Sequence, residues 1–88
     1  MNKTKETVNL IKVKSSHIEG IGLDLNTRSL IIHFVGDRVY RYTPFTTEGF
    51  KQFQKADSLG GYFEKNIRHN KLITCEEITN KVEVSYLV

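Results

Sequence analysis

Val39-Tyr40-Arg41-Tyr42 places two tyrosines two residues apart with an arginine between them. Aromatic rings stack on nucleobases and guanidinium groups hold phosphates, so these residue types suit gripping a single-stranded nucleic acid. Strand spacing qualifies the grouping at once. Residues i and i+2 share a face, so Tyr40 and Tyr42 point one way and Arg41 the other. The face the rings take depends on the turn before them. A two-residue Gly36-Asp37 loop pairs Phe34 with Val39 and turns both rings away from Leu30, Ile32 and Phe34. A three-residue loop, Gly36 to Arg38, pairs Phe34 with Tyr40 and puts the rings on the side of those apolar residues. One residue of register moves every side chain to the other face. Strand aromatics are usually packing residues, which favours the covered arrangement.

Other reactive residues form no catalytic set. His17, His33 and His69 have no metal-ligand spacing with Cys75, and the chain has neither CxxC nor HxxxH. Gly20-Ile21-Gly22 lacks the third glycine and the strand-to-helix setting of a phosphate loop. Glu76 and Glu77 are neighbours on what reads as an exposed turn, suited to solvation rather than proton transfer. Cys75 reads as a small buried or half-buried thiol, with only His69 and Lys71 near in sequence to lower its pKa. His33, between Ile32 and Phe34, reads as a packed or hydrogen-bonded strand histidine. No enzyme activity, cofactor or metal is expected.

Several elements must hold these residues in place. Val8, Leu10 and Val13 interleave with polar residues as a first strand, although Ile11 breaks the alternation. Ile18, Ile21 and Leu23 follow, with Gly20 and Gly22 pointing to a bulge or a close backbone approach. Leu30, Ile32 and Phe34 alternate along a strand, Gly36-Asp37 turns the chain, and Val39–Thr43 returns until Pro44 stops it. Thr46 has the place of an N-cap, Glu48 suits a first helical turn, and Phe45 and Phe50 have the spacing of a hydrophobic staple. These predict a helix from about Thr47 to Ala56. Ser58 caps a second helix, in which Leu59, Phe63 and Ile67 form an i, i+4, i+8 stripe. In the tail, Val82, Val84 and Tyr86 alternate as a strand, and Thr79-Asn80-Lys81 could turn a hairpin. Residues 1–6 are polar and expected to fray. The order reads as α+β: a small antiparallel meander covered by two short helices, with a C-terminal strand or hairpin.

Composition bounds the function. The 88 residues allow one domain, and the net charge of +3 is unevenly spread. Residues 1–71 carry twelve Lys/Arg against seven Asp/Glu, whereas residues 72–88 carry one Lys against three Glu. A basic body is compatible with phosphate attraction without requiring it. A single cysteine excludes an internal disulfide, the N-terminus has no signal-peptide pattern, and no apolar run approaches the roughly 20 residues of a membrane span. A cytoplasmic location without membrane contact is expected.

From Ser15 to His69 the chain resembles the KTSC domain, found at the C-terminus of some lysyl-tRNA synthetases and as a stand-alone bacterial or phage protein. Ser15, Ser16, Ile18, Ile21, Gly22 and Asp24 match its first motif. Leu30, Ile32, Phe34 and Gly36 match the strand, and Tyr40 and Tyr42 the YxY after it. Ala56, Ser58, Gly60, Phe63, Ile67 and Arg68 match the helical motif. Leu23 stands where the family usually has tyrosine, Thr43-Pro44-Phe45-Thr46 varies its Val-Pro, and residues 70–88 form an extension beyond the pattern. RNA binding is the role suggested for the family, from the synthetase association.

Two functions therefore compete. One is a module for RNA or another single-stranded nucleic acid, using Tyr40 and Tyr42 with Arg38, Arg41, Lys65, Arg68 and His69, and with Lys71 adding to the field. The other is a protein-interaction or inhibitory module of the kind that phages encode. It would pair with a partner or a second copy through the exposed edge of the Val82–Tyr86 strand.

Overall fold

The computed structural model describes residues 5–87. Strands β1 (Glu6–Lys12), β2 (Ile18–Asp24), β3 (Ser29–Phe34) and β4 (Arg38–Thr43) come first. Helix α1 (Thr47–Lys55) and a second helical segment follow, then β5 (Thr74–Glu77) and β6 (Val82–Tyr86). The second segment opens as α2 (Leu59–Tyr62) and continues as a π-helical stretch, Phe63–Arg68. All six strands join one sheet in the order β5-β4-β3-β2-β1-β6. Every pairing is antiparallel except β1 with β6, which is parallel. The class is α+β, but the sheet is larger than the expected meander and mixed, and the helices lie between strands in the chain.

The tail explains the difference. A turn closes at Ile78–Lys81, where the Lys81 amide donates to the Ile78 carbonyl at 2.9 Å, yet β5 and β6 do not form a hairpin. They occupy opposite edges. Five strand spacings of about 4.8 Å would separate the edges of a flat sheet by roughly 24 Å, while the link from Glu77 to Val82 can span only about 17 Å. The sheet must curl. Ile78 is buried on the concave side with Val8, Leu10, Ile31, Val39 and Val82. The opposite face carries the larger core, where Ile18, Ile21, Leu30, Ile32 and Tyr42 pack under Phe53 of α1 and Ile67 of the π-helical stretch.

A sheet buried on both faces accounts for the irregular sequence patterns. Ile11 does not interrupt β1: Val8 and Leu10 face the concave core, while Ile11 packs on the helix side. The β2 glycines serve both expected purposes. The β2–β3 register shifts between Ile18 and Gly20, and a side chain at Gly20 would run into the Tyr86 ring. At Gly22 an added Cβ would lie 2.6 Å from Leu10 Cδ2 and 2.8 Å from the Asn9 carbonyl. Helix α1 begins as its sequence dictates: Thr46 Oγ1 accepts from the Gly49 amide at 2.9 Å, and Phe45 and Phe50 both pack on the core. Ser58 caps α2 in the same way, through the Gly61 amide at 3.0 Å. The π-helical stretch departs from the regular α-helix the sequence predicts. The Asn66 side-chain Nδ2 donates to the Tyr62 carbonyl at 3.2 Å, giving the widened turn an extra tie. The expected fraying falls partly on residues 1–4, outside the described residues, whereas Glu6 already opens β1.

Candidate nucleic-acid interface

The β3–β4 turn sets the orientation of the tyrosines. Phe34 pairs with Arg38, Ile32 with Tyr40 and Leu30 with Tyr42, so the loop is Val35-Gly36-Asp37. Gly36 and Asp37 adopt φ of +97° and +63°, the left-handed geometry that a tight reversal needs. This register lies two residues from the three-residue alternative and so has the same parity. Both tyrosines face the helices. Tyr42 is 5% exposed, with its ring edge-on to Phe63 at 5.5 Å between centroids. Tyr40 is half-buried, stacked beside Tyr42 at 6.3 Å and edge-on to Phe34 at 5.7 Å.

Two of the seven expected contact residues are thereby withdrawn from solvent. The Tyr42 ring is covered by Phe63 and cannot serve as an open stacking platform. Arg41, on the concave face, is 15% exposed and turned inward. It donates to Thr27 Oγ1 at 2.9 Å, pairs with Asp24 at 3.3 Å and with Glu6 at 3.6 Å. Burial alone would raise the Asp24 carboxyl, but hydrogen bonds from Thr27, Arg41 and the Asn26 and Thr27 amides outweigh it and hold it below the usual carboxylate range. Arg41 is a structural tie.

Another group gathers around a pocket of about 410 Å³. Tyr42, Phe63 and Ile67 line its covered side, and Phe34, Tyr40, Ile73, Cys75 and Arg68 complete it. Arg38 stands two residues before Tyr40 on the same strand face, and His69–Leu72 form the loop between lining residues Arg68 and Ile73. Arg38, Lys65, Arg68, His69 and Lys71 are all exposed. Arg68 reaches Glu64 at 2.8 Å, with the two side chains 60% and 50% exposed, and His69 lies 3.7 Å from the same carboxylate. Exposed pairs of this kind contribute about 0.2–1 kcal/mol, so an incoming anion can displace Glu64 at small cost.

Cys75 is exposed on the edge strand β5, not buried as its sequence context suggests. Its neighbours Glu76 and Glu77 also belong to β5 rather than to a turn. The pleat brings Cys75 opposite Tyr42. The Tyr42 hydroxyl is pushed well above the normal tyrosine range, first by burial and then by the adjoining Cys75 thiol. The sequence pattern alone could not place Ile73 and Cys75 at this pocket, because it did not show that β5 pairs with β4.

A larger cleft of about 950 Å³ adjoins this pocket and shares Phe34, Phe63 and Arg68 with it. One wall comes from Lys14–His17 between β1 and β2, the other from Gln54 and the Ala56–Gly61 turn. Ser15, Ser16, Ser58, Gly60 and Arg68, spread through the sequence motifs, meet here. His33 lies elsewhere, on the concave side: Nδ1 shares a hydrogen bond with the Tyr86 hydroxyl, and Nε2 lies 3.3 Å from Asp37 Oδ1. Among the described residues no group of three His, Cys, Asp or Glu could hold a metal ion, and no helix is long and apolar enough to cross a membrane.

Comparison with the curated proteins finds no match. The family model for the KTSC domain matches residues 14–70, from the connection that follows β1 through the π-helical stretch. Among solved structures, a KTSC domain protein from Yersinia pestis is similar at 30% identity and a TM-score of 0.72, over 78% of this chain and 94% of that one. Sequence match, backbone similarity and the placement of the shared motifs agree: the chain belongs to the KTSC domain family.

Proposed function

We propose that the domain is a non-catalytic module that binds single-stranded RNA on its helix side. The observation that carries this reading is the pocket in which a half-exposed tyrosine, Tyr40, stands with the Arg68 guanidinium. Base–aromatic stacking contributes about 1–3 kcal/mol per base and tolerates any base, while a nearby cation takes the phosphate. Arg38 on the strand face of Tyr40, Lys65 on the same helical stretch as Arg68 and Lys71 in the following loop are exposed and add positive charge. Tyr40 takes a base and Arg68 the phosphate beside it, while Arg38, Lys65 and Lys71 take neighbouring phosphates of the strand, with His69 alongside. Tyr42 supports Tyr40 from behind.

Fluorescence anisotropy with a labelled single-stranded RNA 12-mer tests this. Four phosphate contacts, from Arg38, Lys65, Arg68 and Lys71, give a salt slope near −2.8, so raising salt from about 50 to 200 mM should weaken binding roughly 50-fold. Tyr40→Ala should weaken it by roughly tenfold or more at fixed salt, with the fold intact. Binding that ignores both salt and Tyr40 would remove the proposal. It would leave the competing protein-interaction reading, which draws on the outer edges of β5 and β6, each unpaired in the sheet.

A further inference from the structure

We infer, resting on the RNA-binding reading above, that the recognised unit is a dinucleotide step. One base occupies the Tyr40 pocket, the bridging phosphate sits at Arg68, and the next nucleotide occupies the large cleft between the β1–β2 connection and the α1–α2 turn. Three features of the cleft point there.

The first is continuity. Phe34, Phe63 and Arg68 line both cavities, so a chain leaving one enters the other past the Arg68 guanidinium. The second is size and chemistry. At about 950 Å³ the cleft lies within the range of sites that bury ligands. Phe34, Leu59 and Phe63 supply an apolar surface for a base, while Ser16, His17 and Gln54 offer exposed polar groups for base edges or a ribose 2′-hydroxyl. Ser15 and Ser58 are already engaged: Ser15 Oγ accepts from the His17 and Ile18 amides at 3.3 Å each, and Ser58 Oγ caps Gly61. Those two serines shape the walls and leave recognition to their neighbours.

The third feature is Gly60. It lines the cleft within a helix, where glycine weakens the structure relative to alanine. Neither crowding nor dihedral strain requires it, since its φ is not in the left-handed range and an added Cβ would meet nothing within 4 Å. Gly61 differs, because a Cβ there would press on Ser58 at 3.2 Å. A bare backbone facing open space is what close approach of a ligand needs. The two acidic residues of the cleft fix the polarity of the path. Glu64 holds Arg68 in an exposed pair that a phosphate can displace, and Asp57 disfavours a phosphate at the far wall, so the phosphate belongs on the Arg68 side.

Two variants and two probes test the inference. Gly60→Leu fills the cleft from the helix, and Ser16→Glu places a carboxylate on the exposed opposite wall should the first variant lose its fold. Each is expected to weaken RNA 12-mer binding by about tenfold with the thermal midpoint held. In ¹⁵N correlation spectra, uridine monophosphate should shift Tyr40 and Cys75, and the dinucleotide UpU should also shift Ser16 and Gly60. If the 12-mer binds and Tyr40→Ala weakens it while both cleft variants bind like wild type, the dinucleotide inference is overturned and the RNA reading stands. UpU shifts confined to the Tyr40 pocket overturn it equally. If the wild-type domain binds no RNA, both fall together.

Discussion

Replacing Arg41 by alanine separates a structural arginine from a recognition arginine. Its guanidinium is 15% exposed and bonded to Thr27, Asp24 and Glu6. Removing one partner of a fully buried pair costs about 3–5 kcal/mol, because the other charge is stranded. Asp24 is not wholly stranded here: it still accepts from the Asn26 amide at 3.0 Å and the Thr27 amide at 3.4 Å. The Glu6 contact adds little, since that carboxylate is 55% exposed. The expected loss is therefore about 2 kcal/mol, or about 8–16 °C in Tm for a domain of this size. Urea and thermal unfolding followed by circular dichroism measure it. Acid sensitivity gives a second reading. Asp24 has a lowered folded pKa, so its contribution is present above the unfolded value near 3.9 and fades as pH falls through the lower folded one. With one donor gone, Arg41→Ala should show a smaller loss of stability over that interval. RNA affinity should not move. A stability loss below about 0.5 kcal/mol, or an affinity loss matching Tyr40→Ala in a folded protein, would refute the reasoning.

Three further outcomes are expected. Tyr42 and Tyr86 both have raised pKa values, so the stability they contribute is present below the unfolded value near 10 and is lost as pH rises beyond it; Tyr42→Phe should flatten the fall in Tm between about pH 10 and 11. Gly20→Ala should cost about 1–3 kcal/mol by forcing the Tyr86 ring off His33, and Tyr86→Ala should suppress most of that cost in a double-mutant cycle by urea unfolding. Cys75 should react with a thiol reagent in the folded protein at a rate close to that of the unfolded chain, and bound RNA should slow the folded-state reaction; a thiol that reacts only after unfolding would contradict its placement on β5.

Local rules were legible in the sequence where one element sufficed. The Thr46 and Ser58 caps marked where the helices begin, and the alternation of Leu30, Ile32 and Phe34 marked β3. Long-range placement was not legible. Parallel pairing of β6 with β1 depends on the whole sheet curling, and no residue near Val82 announces its partner. The same curl buries Ile11 and Val8 on opposite faces, which in the linear sequence looks like a flaw in alternation. At the candidate site, i, i+2 spacing correctly set Arg41 against the tyrosines, but the covered state of Tyr42 needed the turn register. Ile73 and Cys75 needed the β4–β5 pairing as well.

The curl also determines where a ligand can approach. The concave face is filled from within the chain, because β1 and β6 bring Val8, Leu10, Val82, Val84 and Tyr86 onto Ile31 and Val39. Polar ties hold it on two sides: Arg41 joins β4 to β1 and β2, and the Tyr86–His33 hydrogen bond joins β6 to β3. Strands β1, β5 and β6 lie outside the span that matches the family model. In this chain the flanking segments fill the concave face, and on the helix side they contribute Ile73 and Cys75 to the wall of the Tyr40 pocket. The helix side brings together an aromatic ring, a displaceable cation and a bare backbone, with Tyr40, Arg68 and Gly60. Tyr40 and Arg41 are adjacent in sequence, yet the pleat assigns one to the candidate interface and the other to the structure that holds it in place.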